Sequence, residues 1–94
     1  MAEILQLKVN VHGLVQGVCF RNFVKYTAAK LNLQGYVRNL PCGDIVEIKA
    51  VGEKHHLESM ISDLRKGTAG SIVQNVELSW SDQVNHFDGF TIRY

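Results

Sequence analysis

The stretch Leu5-Gln-Leu-Lys-Val-Asn-Val-His-Gly-Leu-Val-Gln-Gly-Val-Cys-Phe-Arg21 changes its hydrophobic period partway along, and the fold is read outward from that change. Leu5, Leu7, Val9 and Val11 alternate with Gln6, Lys8, Asn10 and His12, so residues 4–12 form a half-buried strand. A glycine-bracketed loop follows over Gly13 to Cys19. Phe20, Phe23, Val24, Thr27, Ala28 and Leu31 then recur at helical spacing, which predicts an amphipathic helix over about 20–32 with Asn32 as its stop. The loop is built to hold an anion. Successive backbone N–H groups in such a turn form a nest, the helix N-terminus adds roughly half a positive charge, and the Arg21 guanidinium offers a forked set of donors.

Downstream, Gln34 to Asn39 reads as a short strand and Leu40-Pro-Cys-Gly43 as a tight turn into a β-rich run over Asp44 to Val51. Gly52 and Glu53 are expected to open a second helix with the apolar stripe Leu57, Met60, Ile61 and Leu64, stopped at Gly67 behind a basic last turn. Ile72 to Trp80 predicts a strand with Val76, Leu78 and Trp80 on one face, and Phe90 to Tyr94 a final short strand. The order βαββαβ plus a closing strand is an α+β, ferredoxin-like split βαβ arrangement, with both helices on one face of an antiparallel sheet. In it the first two strands run parallel on either side of the third, so their C-terminal ends lie at one sheet edge, roughly 10 Å apart. Arg21 and Asn39 can then face one pocket.

Composition bounds the function. Ninety-four residues, 46% apolar and 20% charged, suit one soluble domain over 1–94. A formal charge of +1 with scattered lysines and arginines argues against a nucleic-acid partner. No apolar run approaches the roughly 20 residues of a membrane span, and the start lacks a signal-peptide pattern. Cys19 and Cys42 have no C-x-x-C spacing, so free thiols and a cytoplasmic location are expected.

Several groups near the loop have mundane explanations. Cys19 is separated from Arg21 by Phe20 alone, too close for a cysteine phosphatase loop to encircle phosphate, so a small buried packing thiol is expected. His55 and His56 are adjacent on a helix, and divergence by about 100° is expected to keep them from sharing an ion. His12 is read as a polar strand end, His86 as a loop residue, Lys25 as a solvated helix position and Arg38 as an exposed cation opposite Asn39. The sequence has no nucleotide-binding G-x-x-x-x-G-K-[ST] loop and no H-E-x-x-H, and no paired carboxylates lie near the Gly13 to Arg21 loop. What remains is an arginine, a ring of N–H groups and a carboxamide, with no dedicated acid or base. Such a site suits an activated phosphate such as a carboxyl-phosphate anhydride, whose carboxylate leaving group, with a pKa near about 4, departs unprotonated.

Gly13-Leu-Val-Gln-Gly-Val-Cys-Phe-Arg21, followed by Gly35-Tyr-Val-Arg-Asn39 and Val46-Glu47, resembles both signature blocks of the acylphosphatase family. The resemblance extends over the chain to the closing Phe90-Thr-Ile-Arg-Tyr94. It implies that Arg21 binds phosphate, that Asn39 holds the attacking water, and that backbone N–H groups of Val15, Gln16, Gly17, Val18, Cys19 and Phe20 complete the cradle. It further implies hydrolysis of an acyl phosphate to carboxylate and inorganic phosphate without metal or cofactor, the substrate's phosphate taking the proton from water. A monomer is expected. Three departures stand out: Leu14 replaces a frequent basic residue, Cys42 a polar turn residue, and Gly43 to Gly52 runs one residue long, with a bulge expected near Asp44 and Ile45. The alternatives are a non-catalytic anion-binding module on this fold, to which Asn39 would be of no use, and RNA binding on the open sheet face, which would want exposed aromatic pairs.

Overall fold

The computed structural model describes residues 3–16 and 19–94. Its elements are β1 (Ile4–Leu14), α1 (Phe20–Lys30), β2 (Gln34–Asn39), β3 (Ile45–Glu53), α2 (Lys54–Lys66), β4 (Ile72–Ser81) and β5 (Phe90–Arg93). They form one sheet in the order β4-β1-β3-β2-β5. The expected ferredoxin-like topology is present, with β1 and β2 both antiparallel to β3. The sheet is mixed rather than wholly antiparallel, because β5 lies parallel to β2 at the outer edge.

The alternation of β1 places Leu7, Val9 and Val11 in the core at 0% exposure. Phe20, Val24, Thr27 and Ala28 of α1 and Leu57, Met60, Ile61 and Leu64 of α2 are the buried helical stripes. Helix α1 ends as Asn32 suggests. Asn32 has φ 55, and Asn32 N–H and Leu33 N–H donate to the Ala29 and Ala28 carbonyls, a Schellman closure with asparagine in the left-handed position.

A helix boundary and a bulge differ from expectation, while Val76, Leu78 and Trp80 share one face of β4 as expected. Gly52 and Glu53 belong to β3, because they pair with Leu5 and Ile4 and Lys54 N–H donates to the Glu3 carbonyl at 2.9 Å; Glu53 serves at the same time as the N-cap of α2, whose first residue is Lys54. Leu78 and Trp80 share the helix-side face with Val76 yet remain 38% and 40% exposed, since β4 is an edge strand. The β1–β3 ladder from Ile45 on and the β2–β3 ladder from Val46 on run without a register shift, so neither carries the expected bulge; Gly43, in the turn that Leu40 N–H closes on the Ile45 carbonyl, has φ 91. The register shift lies between His12 and Gly13 against β4, where Asn75 and Val73 oppose them and Gln74 is the extra residue. It falls just past the last β1–β3 pair, His12 with Ile45, while β1 stays paired with β4 through Leu14.

Gly35 allows β2 to approach β3. At φ 142, its added Cβ would drive into the Lys49 carbonyl oxygen. On the sheet face away from the helices, Glu47 is buried and accepts hydrogen bonds from Tyr36 Oη and Arg38 Nε, both at 2.8 Å, with Lys8 Nζ at 3.8 Å. Arg38 is therefore paired and not a free surface cation. Burial pushes the Glu47 carboxyl up, but the hydrogen bonds from Arg38 and Tyr36 and the charges of Arg38 and Lys8 outweigh it and hold the group below its ordinary range. Burial and the bond to Glu47 push the Tyr36 hydroxyl up.

Two stability outcomes are expected in denaturant unfolding. Gly35→Ala costs about 3 kcal/mol or more, because backbone must move, whereas Gly43→Ala, which meets open space, costs only the roughly 1–2 kcal/mol of its φ. Equal losses would contradict the close-approach role. Glu47→Gln destabilises by about 1–3 kcal/mol at neutral pH. A folded pKa below the unfolded one means that the carboxylate stabilises above the unfolded value and loses this as pH falls through the folded value, so the deficit of Glu47→Gln shrinks in acid. A deficit that is constant with pH would assign the loss to packing.

Candidate active site

The chain leaves β1 at Leu14 and re-enters regular structure at Phe20, while β2 ends at Asn39, two strands away on the same sheet edge. Between these points lies a cavity of about 260 Å³ lined by Val15, Cys19, Phe20, Arg21, Asn22, Asn39, Ile92 and Tyr94. Arg21 and Asn39, 18 residues apart in sequence, line one pocket as the strand order requires.

The local chemistry of the pocket is cationic and incompletely paired. Helix α1 has no acidic residue in its first turn and no side-chain cap, so its N-terminal N–H groups keep their positive field. Cys19 occupies the N-cap at φ 59 and accepts from Phe23 N–H at 3.1 Å through its carbonyl. Among the described residues, no ion pair engages Arg21; its guanidinium stacks over the Tyr94 ring, 4.7 Å from the centroid. The Asn39 Oδ1 is buried and accepts no hydrogen bond. A buried carboxamide oxygen without a donor is costly unless something occupies the pocket to supply one.

The loop is braced from below by Gln16. Its Nε2 donates to the Leu40 and Ile45 carbonyls, both at 2.9 Å, which ties the loop to the β2–β3 hairpin just beyond Asn39. Val15 and Phe20 are 1% exposed and anchor the ends of the loop in the core. Gly17 and Val18, also expected in the cradle, lie outside the described residues. Cys19 is exposed and free, as is Cys42, so the expectation of a buried packing thiol fails; the left-handed N-cap turns the residue outward.

Residues outside the predicted pair also shape the site. Asn22, Ile92 and Tyr94 line the pocket and were not singled out from sequence. Ile92 pairs with Val37 across β5 and β2, so Ile92 and Tyr94 fall on the Asn39 side by alternation. Their position was readable only with β5 known to be the neighbour of β2. His12 pairs with Glu77 at 2.6 Å, His86 with Asp88 at 3.0 Å, and Lys25 is exposed. His55 and His56 do not diverge as expected. Both turn toward Glu53, with ring centroids 4.1 Å apart.

An uncapped helix start, an arginine and an unpartnered carboxamide thus meet in one pocket on a ferredoxin-like sheet. The acylphosphatase family model matches residues 7–92. An acylphosphatase from Caldivirga maquilingensis is 39% identical over 94 residues, covering 100% of this chain and 99% of that one. One from Dehalococcoides mccartyi is 43% identical over 88 residues, covering 94% and 97%. The crystal structure of acylphosphatase from Bacillus subtilis superposes with a TM-score of 0.92 at 37% identity, covering 96% of this chain and 99% of that one. The chain belongs to the acylphosphatase family, a family of hydrolases.

Gln16→Leu removes two hydrogen bonds, each worth about 1 kcal/mol, and frees the loop from the hairpin. Phosphate affinity is expected to fall several-fold, with a smaller loss of stability. Unchanged phosphate inhibition would show that the brace is not needed to shape the loop.

Proposed function

We propose that the protein hydrolyses acyl phosphates, with Arg21 and the loop N–H groups holding the phosphoryl group and Asn39 orienting the attacking water. The observation that carries this reading is the Asn39 Oδ1, buried without a donor in the pocket that Arg21 lines. A water donating to that oxygen would share the cavity with a phosphoryl group held by the guanidinium, and in-line attack is the step assigned to it. The water oxygen forms a bond to phosphorus, the phosphorus–oxygen bond to the acyl group breaks, and its electron pair leaves on the carboxylate. The proton of the water passes to a phosphate oxygen of the substrate, so no protein base is required. Arg21 and the N-terminus of α1 offset the negative charge that builds on the phosphoryl oxygens.

The roles divide between binding and turnover. Val15 and Phe20 seat the loop, and the N–H groups from Val15 to Phe20 complete the cradle. The protein acts as one domain over 1–94, as a cytoplasmic monomer needing neither metal nor cofactor. One continuous apolar core and two free cysteines support the domain and the reducing compartment.

With benzoyl phosphate as substrate, Arg21→Gln is expected to lose phosphate inhibition and about 10²–10³-fold in turnover together. Asn39→Ala should keep phosphate affinity while kcat falls about 10²-fold or more. An Asn39→Ala protein that no longer binds phosphate would reverse the role of the carboxamide. Wild-type turnover should persist in EDTA; strict metal dependence would overturn the reading.

A further inference from the structure

At the opposite end of the sheet, the sequence Glu53-Lys-His-His56 spans the junction between β3 and α2. Glu53 is the last residue of β3 and the N-cap of α2, held extended at φ −66, ψ 140 by its pairing with Ile4. That geometry sends its carboxylate back over the first helical turn. Its Oε2 lies 3.5 Å from His55 Nε2 and 3.4 Å from His56 Nδ1. The three ligand atoms all lie within 4.8 Å of one another.

We propose that Glu53, His55 and His56 form a site for a divalent late first-row transition metal, with Zn²⁺ as the first candidate. Bonds of about 2.0–2.2 Å at tetrahedral angles place neighbouring ligand atoms roughly 3.3–3.5 Å apart, the separation of two edges here. The third edge closes by rotation of His55, whose side chain is 66% exposed. Two imidazoles and one carboxylate favour zinc, copper or nickel over magnesium or calcium, which prefer oxygen ligands. The carboxylate offsets the field of the helix N-terminus, which by itself disfavours a cation. Three protein ligands leave solvent to complete the coordination.

The site has no part in the hydrolytic pocket. Glu53 pairs with Ile4, and the pocket opens beyond Leu14 at the other end of the same strand, about 33 Å away at 3.3 Å per residue. A metal there would pin the end of β3 to the first turn of α2 and stabilise the folded chain by binding it alone.

The test is calorimetric titration of Zn²⁺ into the untagged full chain after EDTA treatment and dialysis, with thermal unfolding alongside. Wild type is expected to bind Zn²⁺ and gain Tm with it, and to gain none with Mg²⁺. His55→Ala, His56→Ala and Glu53→Gln should each weaken this binding by more than about tenfold, since even partners behind the ligands are worth 10–100-fold. The double variant H55A/H56A should lose it, while turning over benzoyl phosphate as wild type does, which checks its fold. Failure of wild type to bind would overturn the proposal. So would binding undiminished in H55A/H56A, which would place the metal on Cys19, Cys42 or another histidine.

Discussion

The pairing of β3 with β1 on one side and β2 on the other is the constraint from which the rest follows. Both pairings are antiparallel, so β1 and β2 run in the same direction and end at the same edge. Everything assigned to the chemistry leaves those two ends: the loop and α1 from β1, and Asn39 from β2. Strand β3 tolerates no register error in this role, because a one-residue slip would turn Val46, Ile48 and Ala50 out of the core and move Asn39 to the other face. Gly35 and the buried Glu47 hold the register, one by letting backbones meet and the other by gathering Tyr36, Arg38 and Lys8 across three strands.

The pocket itself is a place where polar groups are left incompletely satisfied. Asn32 satisfies the carbonyls ending α1 and Gln16 those of Leu40 and Ile45, whereas Asn10 Oδ1 and Thr68 Oγ1 are buried without a partner as Asn39 Oδ1 is. At the sheet edge, α1 starts without a side-chain cap, Arg21 rests on an aromatic ring, and the oxygen of Asn39 meets no donor. Stability given up at one place and held by the surrounding core is the pattern of a pre-organised site.

Much of this was legible in the chain because its local signals agree. The period-two run from Leu5 to Val11, the helical stripe from Leu57 to Leu64 and the Leu40 to Gly43 turn each state one conformation, and topology then brings Arg21 and Asn39 together. What escaped depends on contacts made at a distance. Gly52 and Glu53 look like a helix start until Ile4 and Leu5 pair with them. The Gln16 brace needs the carbonyls of a hairpin 24 and 29 residues away. Ile92 and Tyr94 join the pocket only because β5 takes the outer place beside β2, and the convergence of His55 and His56 follows from the extended Glu53 rather than from helical angles.

The central claim, that Arg21 holds the phosphoryl group while Asn39 holds water, is tested most directly by a crystal structure with inorganic phosphate bound. The expected result is an anion in the pocket bonded to the Arg21 guanidinium and loop N–H groups, with an ordered water donating to Asn39 Oδ1 on the side facing phosphorus. Phosphate bonded directly to the Asn39 carboxamide with no water between them, or seated away from Arg21, would contradict it.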